Sequence, residues 1–234
     1  RMSGQHTKLR FGLSREAEVW AEQVRSDVLG SVFELHTPSG QAQVALPVPG
    51  LHNVRNALAA AACALAAGAP LADVVSGLAG FHAVSGRMQP HRLPGGVVLI
   101  DDTYNANPLS MKAAIDVLAG NQGTRIFVMG DMAELGDDAA EMHAEIGAYA
   151  KAAKIQTFYA LGQLTPEATK AFGASGKHFE SVETLVDALR KEMNSNVTVL
   201  VKGSRSARME RVVDLIQAGQ VTENQKAENK GEKH

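Results

Sequence analysis

The stretch of sequence that decides the fold is Val97-Val98-Leu99-Ile100-Asp101-Asp102-Thr103-Tyr104-Asn105-Ala106-Asn107-Pro108. Its first four residues are apolar and mostly β-branched, which predicts a fully buried strand. The residues that follow are polar or small and end that strand. Pro108 suits the first turn of a helix, where a missing N–H costs nothing, and Asn107 suits the N-cap before it. The stretch therefore predicts a strand, a ligand-binding loop and a helix; a solvated polar connector is the plainer alternative.

Alternating strand and helix signals continue from this stretch to residue 217. Apolar runs predict strands at 97–100, 125–129, 157–161 and 197–201, with a weaker one at 177–180. Helical periodicity predicts helices at 109–118, 139–153, 166–172, 182–193 and 207–217. Buried strands that alternate with helices form parallel sheets, and right-handed crossovers make such sheets doubly wound. The sequence therefore predicts an α/β fold with a mostly parallel sheet.

The residues before this region give a different pattern. Strands are predicted at 17–21, 31–36 and 41–46, and the last two alternate apolar and polar residues around a Thr-Pro-Ser-Gly turn, which predicts a β-hairpin. Two amphipathic helices follow, beginning near residues 51 and 71. Ser85-Gly86, before Arg87, is a candidate hinge. The segment 219–234 is low in hydrophobicity and mixes Lys with Glu, which predicts a disordered tail.

Composition limits the possible partners and the compartment. Lys and Arg number 23 against 25 Asp and Glu, so a broadly basic nucleic-acid surface is excluded and no nucleic-acid partner is expected. No apolar run approaches the roughly 20 residues that span a bilayer, so no membrane insertion is expected. The single cysteine, Cys63, cannot form an intrachain disulfide, which fits a reducing, cytoplasmic location.

Polar residues collect directly after three predicted strands, at 101–107, 130–136 and 202–206. Carboxyl ends of parallel strands meet at one edge of a sheet, so we expect these loops to form one binding edge. Asp102 suits ribose hydroxyls. Lys202 and Arg205, beside a predicted helix start at 206–209, suit a carboxylate or phosphate. Two acidic residues of the middle loop, Asp131 and Glu134, suit an ammonium group or a metal, with a solvated turn as the alternative.

The helix predicted near residue 51 opens with further candidate ligands. Asn53 and Asn56 are three residues apart and share a face, and their amides match the donor and acceptor of adenine; a cap with an exposed asparagine is the alternative. His52 alone is more typical of a packed or capping histidine. Arg87 is placed to clamp a phosphate, with a surface arginine as the alternative.

Several established motifs do not occur in the 234 residues. The phosphate loop G-x-x-x-x-G-K-[ST] and the dinucleotide fingerprint G-x-G-x-x-G are missing, which argues against a nucleotide-dependent oxidoreductase. Cysteine clusters, H-E-x-x-H and other metal-ligand spacings are missing too, so no metal site is predicted.

Five motifs resemble the Mur ligase family in order and spacing, and the resemblance runs from about residue 11 to residue 217. They are 49–60 (PGLHNVRNALAA), 86–87 (GR), 102–108 (DTYNANP), 130–136 (GDMAELG) and 202–205 (KGSR). The last three look like those of the member that adds D-alanyl-D-alanine to UDP-N-acetylmuramoyl-tripeptide. The resemblance implies a Rossmann-like C-terminal ligase domain over 86–218. It also implies a partial central ATP-binding domain over 1–85, containing the β-hairpin and two helices.

The resemblance further implies an ATP-dependent, peptide-bond-forming ligase of peptidoglycan precursor synthesis that works through an acyl phosphate. Mg²⁺ would accompany ATP, with its ligands outside this sequence. The implied ATP ligands are His52, Asn53, Asn56, Arg87 and Asp102. The implied residues on the dipeptide side are Tyr104, Asn105, Asn107, Asp131, Glu134, Lys202, Ser204 and Arg205.

Members of this family have three domains, and the first domain and the front of the second have no counterpart here. We therefore expect the chain to be a C-terminal part of such a ligase, inactive alone, with the missing N-terminal half as its partner. A non-catalytic module that binds a nucleotide or a dipeptide is the alternative.

Overall fold

The structure is a computed structural model that describes residues 8–219. The predicted tail over 219–234 lies outside the described residues except for residue 219, which is helical. The chain divides into two compact units, one ending at Ala83 and the other beginning at Val84. The assignment of 1–85 and 86–218 as family domains stays a prediction. Within the described range, no helix is both long enough and apolar enough to cross a membrane.

The first unit contains a four-stranded sheet. Its strands, in spatial order, are β1 (Phe11–Gly12), β2 (Val19–Asp27), β3 (Gly30–Thr37) and β4 (Gly40–Leu46). The predicted hairpin is confirmed as the antiparallel β3–β4 pair. β2 runs well past the predicted end at residue 21. The prediction stopped early because a bulge between Glu22 and Arg25 breaks the alternation of apolar and polar residues in the second half of the strand.

Two helices, α1 (Leu51–Ala66) and α2 (Leu71–Ala79), pack on this sheet and confirm the predicted pair. Phe33 and Leu35 of β3 share a buried cluster with Leu58 of α1 and Val74 of α2. Small buried alanines such as Ala61 let α1 approach the strands closely.

The second unit is built on a six-stranded sheet. Its strands are β5 (Gln89–Arg92), β6 (Val98–Asp102), β7 (Thr124–Gly130), β8 (Thr157–Leu161), β9 (Gly176–Phe179) and β10 (Val197–Lys202). Their spatial order is β5-β6-β10-β7-β8-β9, and all neighbours are parallel except β5 and β6. The helices are α3 (Pro108–Ala119), α4 (Ala139–Ala152), α5 (Thr165–Phe172), α6 (Val182–Glu192) and a last helix over 210–219. The fold class is therefore α/β with a mostly parallel sheet, as predicted.

Helices cover both faces of this sheet. On one face Phe158 of β8 stacks on Phe172 of α5, with ring centroids 5.0 Å apart, and α3, α4 and α5 pack side by side. The next residue of β8, Tyr159, faces the other side of the sheet. There it belongs to a buried hydrophobic cluster that contains Leu185 of α6 and Val212 of the last helix. The chain thus leaves the neighbouring strands β6 and β10 toward opposite faces, which in open α/β sheets is the arrangement found at ligand-binding edges.

Some predicted boundaries are wrong, and charged or proline residues explain most of the errors. β6 continues through Asp102 and β10 through Lys202, although charges there had indicated loops. β5 was not predicted, because Gln89-Pro90-His91-Arg92 has no apolar alternation; proline is tolerated there since β5 is an edge strand. The helix predicted at 207–217 begins at 210, after a 3₁₀ turn over Arg205–Ala207.

Candidate functional site

The three predicted polar loops lie side by side, because the strands before them are neighbours. β10 lies between β6 and β7, and the register places Lys202 opposite both Asp102 and Met129. The prediction that these loops meet at one edge of the sheet is confirmed. Open α/β sheets bind ligands at this edge, where adjacent connections diverge, so the three loops form the candidate site.

A buried ion pair joins the ends of β6 and β10. Lys202 Nζ lies 2.6 Å from Asp102 Oδ2, and the two side chains are 3% and 12% exposed. Nζ also donates to the Asn105 carbonyl at 2.9 Å, while Asp102 Oδ1 accepts the Met88 N–H at 3.0 Å. The predicted contacts of Lys202 with a dipeptide and of Asp102 with a ribose stay predictions, and they would have to be made alongside these internal bonds.

Arg87 lies against the loop that follows β6. Its guanidinium carbon is 4.1 Å from the centroid of the Tyr104 ring, within cation–π distance. The Tyr104 N–H donates to the Gly86 carbonyl at 2.9 Å. Gly86 has a φ of 74°, and a Cβ there would lie 3.0 Å from the Tyr104 nitrogen, so glycine is required. The structure thus brings Arg87 and Tyr104 together and leaves both side chains exposed.

Two asparagines of the same loop use their side-chain oxygens locally. Asn107 Oδ1 accepts the Ser110 N–H at 2.8 Å, and Ser110 Oγ accepts the Asn107 N–H at 3.0 Å, which confirms Asn107 as the N-cap of α3. Asn105 Oδ1 accepts the Ala106 N–H at 2.8 Å. Both asparagines are exposed, and their amide N–H groups are the donors they present to a ligand.

The carboxylate of Asp131, after β7, is held by backbone donors, and its predicted ligand role stays a prediction. Its carboxylate accepts the backbone N–H groups of Gln163, Leu164 and Thr165 at 2.8, 3.0 and 3.1 Å. These groups lie at the start of α5, where backbone donors lack intrahelical partners. Asp131 therefore caps α5, and an ammonium group or a metal would compete with three backbone donors. The loop carboxylate that the structure exposes is Glu134, in the left-handed region with a φ of 61°.

The residues after β10 form a tight turn instead of the predicted helix start. Ser204 is buried; its N–H donates to the Asp131 carbonyl at 2.8 Å, and its hydroxyl lies 3.0 Å from that of Ser206. Arg205 extends outward, with a side chain 72% exposed and 3.9 Å from Glu210. The α-helix begins at residue 210, later than the start predicted at 206–209, and the positive potential predicted there stays a prediction. Arg205 itself is an accessible cation.

The remaining candidates lie in the first two turns of α1, within the first unit. Asn53 donates from Nδ2 to the Pro49 carbonyl at 2.8 Å, and Asn56 is exposed. His52 is partly buried. The N-cap of α1 is Gly50, with a φ of 95°, so neither asparagine is the cap.

Sequence reasoning missed His143, which holds the loop after β7. Its ring is fully buried, with Nδ1 2.6 Å from the Ala139 carbonyl and Nε2 2.9 Å from the Met132 nitrogen. The available signal was a histidine on the inner face of a predicted helix. No local pattern shows that such a ring reaches back to the preceding loop.

Asp102 and Asp131, two acidic residues of this edge, do not fit a Mg²⁺ site. Asp102 is held by Lys202 and a backbone N–H, and Asp131 by three backbone N–H groups, so an ion would have to displace existing bonds. Among residues 8–219, the geometry for a shared metal ion is met by Glu22, Glu34 and His36, on the sheet of the first unit.

Comparisons with known proteins match both units. The family described as "Mur ligase, glutamate ligase domain" matches residues 86–205, and "Mur ligase middle domain" matches residues 2–64. The UDP-N-acetylmuramoyl-tripeptide–D-alanyl-D-alanine ligase of Escherichia coli K12 is 45% identical over 190 residues, covering 80% of this chain and 42% of that protein.

Solved structures agree with this match. "Crystal structure I of MurF from Acinetobacter baumannii" superposes with a TM-score of 0.80 at 35% identity, covering 89% of this chain and 46% of that one. The MurF ligase of Thermotoga maritima in complex with ADP has a TM-score of 0.79 at 24% identity and shares the fold, covering 92% and 49%. The chain thus spans less than half the length of these relatives. Because the glutamate ligase domain alone accounts for more than half of its 234 residues, the chain belongs to the Mur ligase family.

Proposed function

We propose that the protein takes part in the ATP-dependent joining of D-alanyl-D-alanine to UDP-N-acetylmuramoyl-tripeptide, a cytoplasmic step of peptidoglycan precursor synthesis. The observation that carries the proposal is the 45% identity to the E. coli ligase named for these two substrates. The loops at the carboxyl edge of the second unit support it. They present groups of both signs to a dipeptide that carries an amine at one end and a carboxylate at the other.

The reaction proceeds in two steps. ATP phosphorylates the tripeptide carboxylate, which forms an acyl phosphate and releases ADP. The amine of D-alanyl-D-alanine then attacks the acyl carbon. An amide bond forms, the nitrogen gives up one proton to the departing phosphate or to water, and phosphate leaves with the electron pair of the broken C–O bond. The attacking amine must be neutral and must point at the acyl carbon. Binding the carboxylate at the other end of the dipeptide orients the amine and so promotes the second step.

The exposed charges divide these tasks between two loops. We assign the dipeptide carboxylate to Arg205, whose guanidinium can bind both oxygens, and the amine end to Glu134. The other residues proposed for the dipeptide side are Tyr104, Asn105, Asn107, Asp131, Lys202 and Ser204, the last three acting by holding the loops. For ATP the proposal retains His52, Asn53, Asn56, Arg87 and Asp102. Mg²⁺ is proposed to accompany ATP, and no step is assigned to it.

Replacing Arg205 by lysine is expected to impair use of the dipeptide more than use of ATP. Lysine keeps the charge but loses the two-pronged bond, and a charge-assisted hydrogen bond is worth about 10- to 150-fold in binding. Steady-state kinetics of the protein expressed from its complete gene measure kcat/KM for each substrate. Arg190→Lys, an exposed arginine on α6, is the control. Values for D-alanyl-D-alanine within about twofold of the parent would show that Arg205 does not bind this substrate.

The alternative, a module that binds without catalysis, is favoured by the missing phosphate-loop motif. For the 234-residue chain alone we expect no phosphate release from ATP, with or without D-alanyl-D-alanine. Malachite-green detection measures it. Turnover that stays with the chain through purification would overturn this expectation. If the protein from the complete gene also binds D-alanyl-D-alanine but never ligates it, the module interpretation replaces the proposed function.

A further inference from the structure

The bonds of His143 define the protonation state of its ring. The side chain is 0% exposed, Nδ1 faces the Ala139 carbonyl at 2.6 Å, and Nε2 faces the Met132 N–H at 2.9 Å. A carbonyl oxygen only accepts and a backbone N–H only donates, so Nδ1 must carry the proton and Nε2 must offer its lone pair. Asp131 Oδ1, 3.8 Å from Nε2, lies beyond hydrogen-bonding distance and already accepts backbone N–H groups.

This ring is one of several anchors on the same short segment. Met132, whose N–H the ring accepts, is buried. The preceding residue, Asp131, is fixed through its carboxylate to the start of α5 and through its carbonyl to the Ser204 N–H at 2.8 Å. Glu134, two residues after Met132, is exposed and in the left-handed region. The backbone that leads to Glu134 is therefore set by residues 131 and 132.

We propose that His143 is a positioning residue: its neutral Nδ1–H tautomer fixes Met132 and so sets the place from which Glu134 meets the incoming amine. The inference rests on the proposed function, because it takes the 130–136 loop as part of the dipeptide site. His143 itself is buried behind the loop and touches no substrate. Loss of the His143 ring is therefore expected to displace the loop and weaken binding of the dipeptide, while use of ATP stays unchanged.

Two amide replacements separate the two ring bonds. The side chain of His143→Gln reaches the position of Nε2 and can still accept the Met132 N–H. That of His143→Asn reaches only the position of Nδ1 and keeps the bond to Ala139. We expect His143→Asn to raise KM for D-alanyl-D-alanine about tenfold, the value of one hydrogen bond, with KM for ATP within twofold, and His143→Gln to restore most of the loss. His178→Asn, an exposed histidine whose ring faces the Gly162 carbonyl, should change neither constant.

Nitrogen NMR of the 234-residue chain gives a readout independent of catalysis. With ¹⁵N-labelled histidine, we expect a protonated Nδ1 and an unprotonated Nε2 for His143. The Met132 amide resonance should shift in His143→Asn more than in His143→Gln. A protonated Nε2, or a folded His143→Asn enzyme with an unchanged KM for the dipeptide, would overturn the proposal. If the parent enzyme does not ligate D-alanyl-D-alanine at all, the proposed function fails, and the NMR result still decides the tautomer.

Discussion

Replacing Lys202 by methionine is expected to lower the free energy of unfolding of the second unit by about 3–5 kcal/mol. The substitution leaves the Asp102 carboxylate, 12% exposed, without its cation, and the Asn105 carbonyl without its Nζ donor. A buried charge that loses its partner keeps the full cost of desolvation, which is why the loss exceeds the net value of the pair.

The control for this prediction is Lys112→Met. Lys112 and Glu145 are also 2.6 Å apart, but their side chains are 29% and 53% exposed, so their pair is worth about 0–1 kcal/mol. Urea denaturation followed by tyrosine fluorescence measures both variants, because the three tyrosines of the chain all lie in the second unit and its single tryptophan, Trp20, in the first. Equal losses for the two lysines would contradict the structural role of the Lys202–Asp102 pair.

Replacing Gly147 by alanine is expected to destabilise the second unit by about 3 kcal/mol, the upper end of the cost of overpacking. Gly147 lies in α4 where the helix meets α5, and a Cβ on it would overlap the carbonyl oxygen of Ala168. That oxygen belongs to the backbone of a helix capped by Asp131, so it cannot move aside as a flexible side chain could.

Helix propensity alone gives the opposite sign for this change, since alanine is favoured over glycine by about 1 kcal/mol inside a helix. Gly77→Ala in α2 isolates that term, because nothing lies within 4 Å of the Cβ it would add. Gly77→Ala should therefore raise the unfolding midpoint of the first unit, measured by Trp20 fluorescence. A Gly147→Ala protein as stable as the parent would show that α4 and α5 are not in the described contact.

The alternation of strands and helices in the second unit was predictable from the sequence, because strands such as β8 and helices such as α6 have clear local patterns. It could not place the ends of β6 and β10. Asp102 and Lys202 resemble loop residues on their own, and they enter buried strands only because each neutralises the other across 100 residues of chain. β5 escaped prediction for a related reason, since an edge strand takes its hydrogen bonds from β6 and needs no pattern of its own.

The candidate site was predictable to the level of its loops. Strands of a parallel sheet bring their following loops together, so the meeting of the three polar segments followed from topology. Topology does not show which side chains in these loops remain available to a ligand. Asp131 and Glu134 look equivalent in the sequence, yet Asp131 is engaged by backbone donors 32 to 34 residues away. Such partners are set by the tertiary fold and leave no trace in local spacing.

The position of β10 has a consequence for how this protein is made. β10 is the last strand of its sheet to leave the ribosome, yet it fills the gap between β6 and β7. The nascent chain must therefore carry two unpaired strand edges until residues 197–202 emerge, and such edges promote aggregation. Lys202 belongs to that strand, so Asp102 also has no ion-pair partner until β10 has been synthesised. Interrupted translation upstream of β10 therefore yields a product with neither a continuous sheet nor an assembled site.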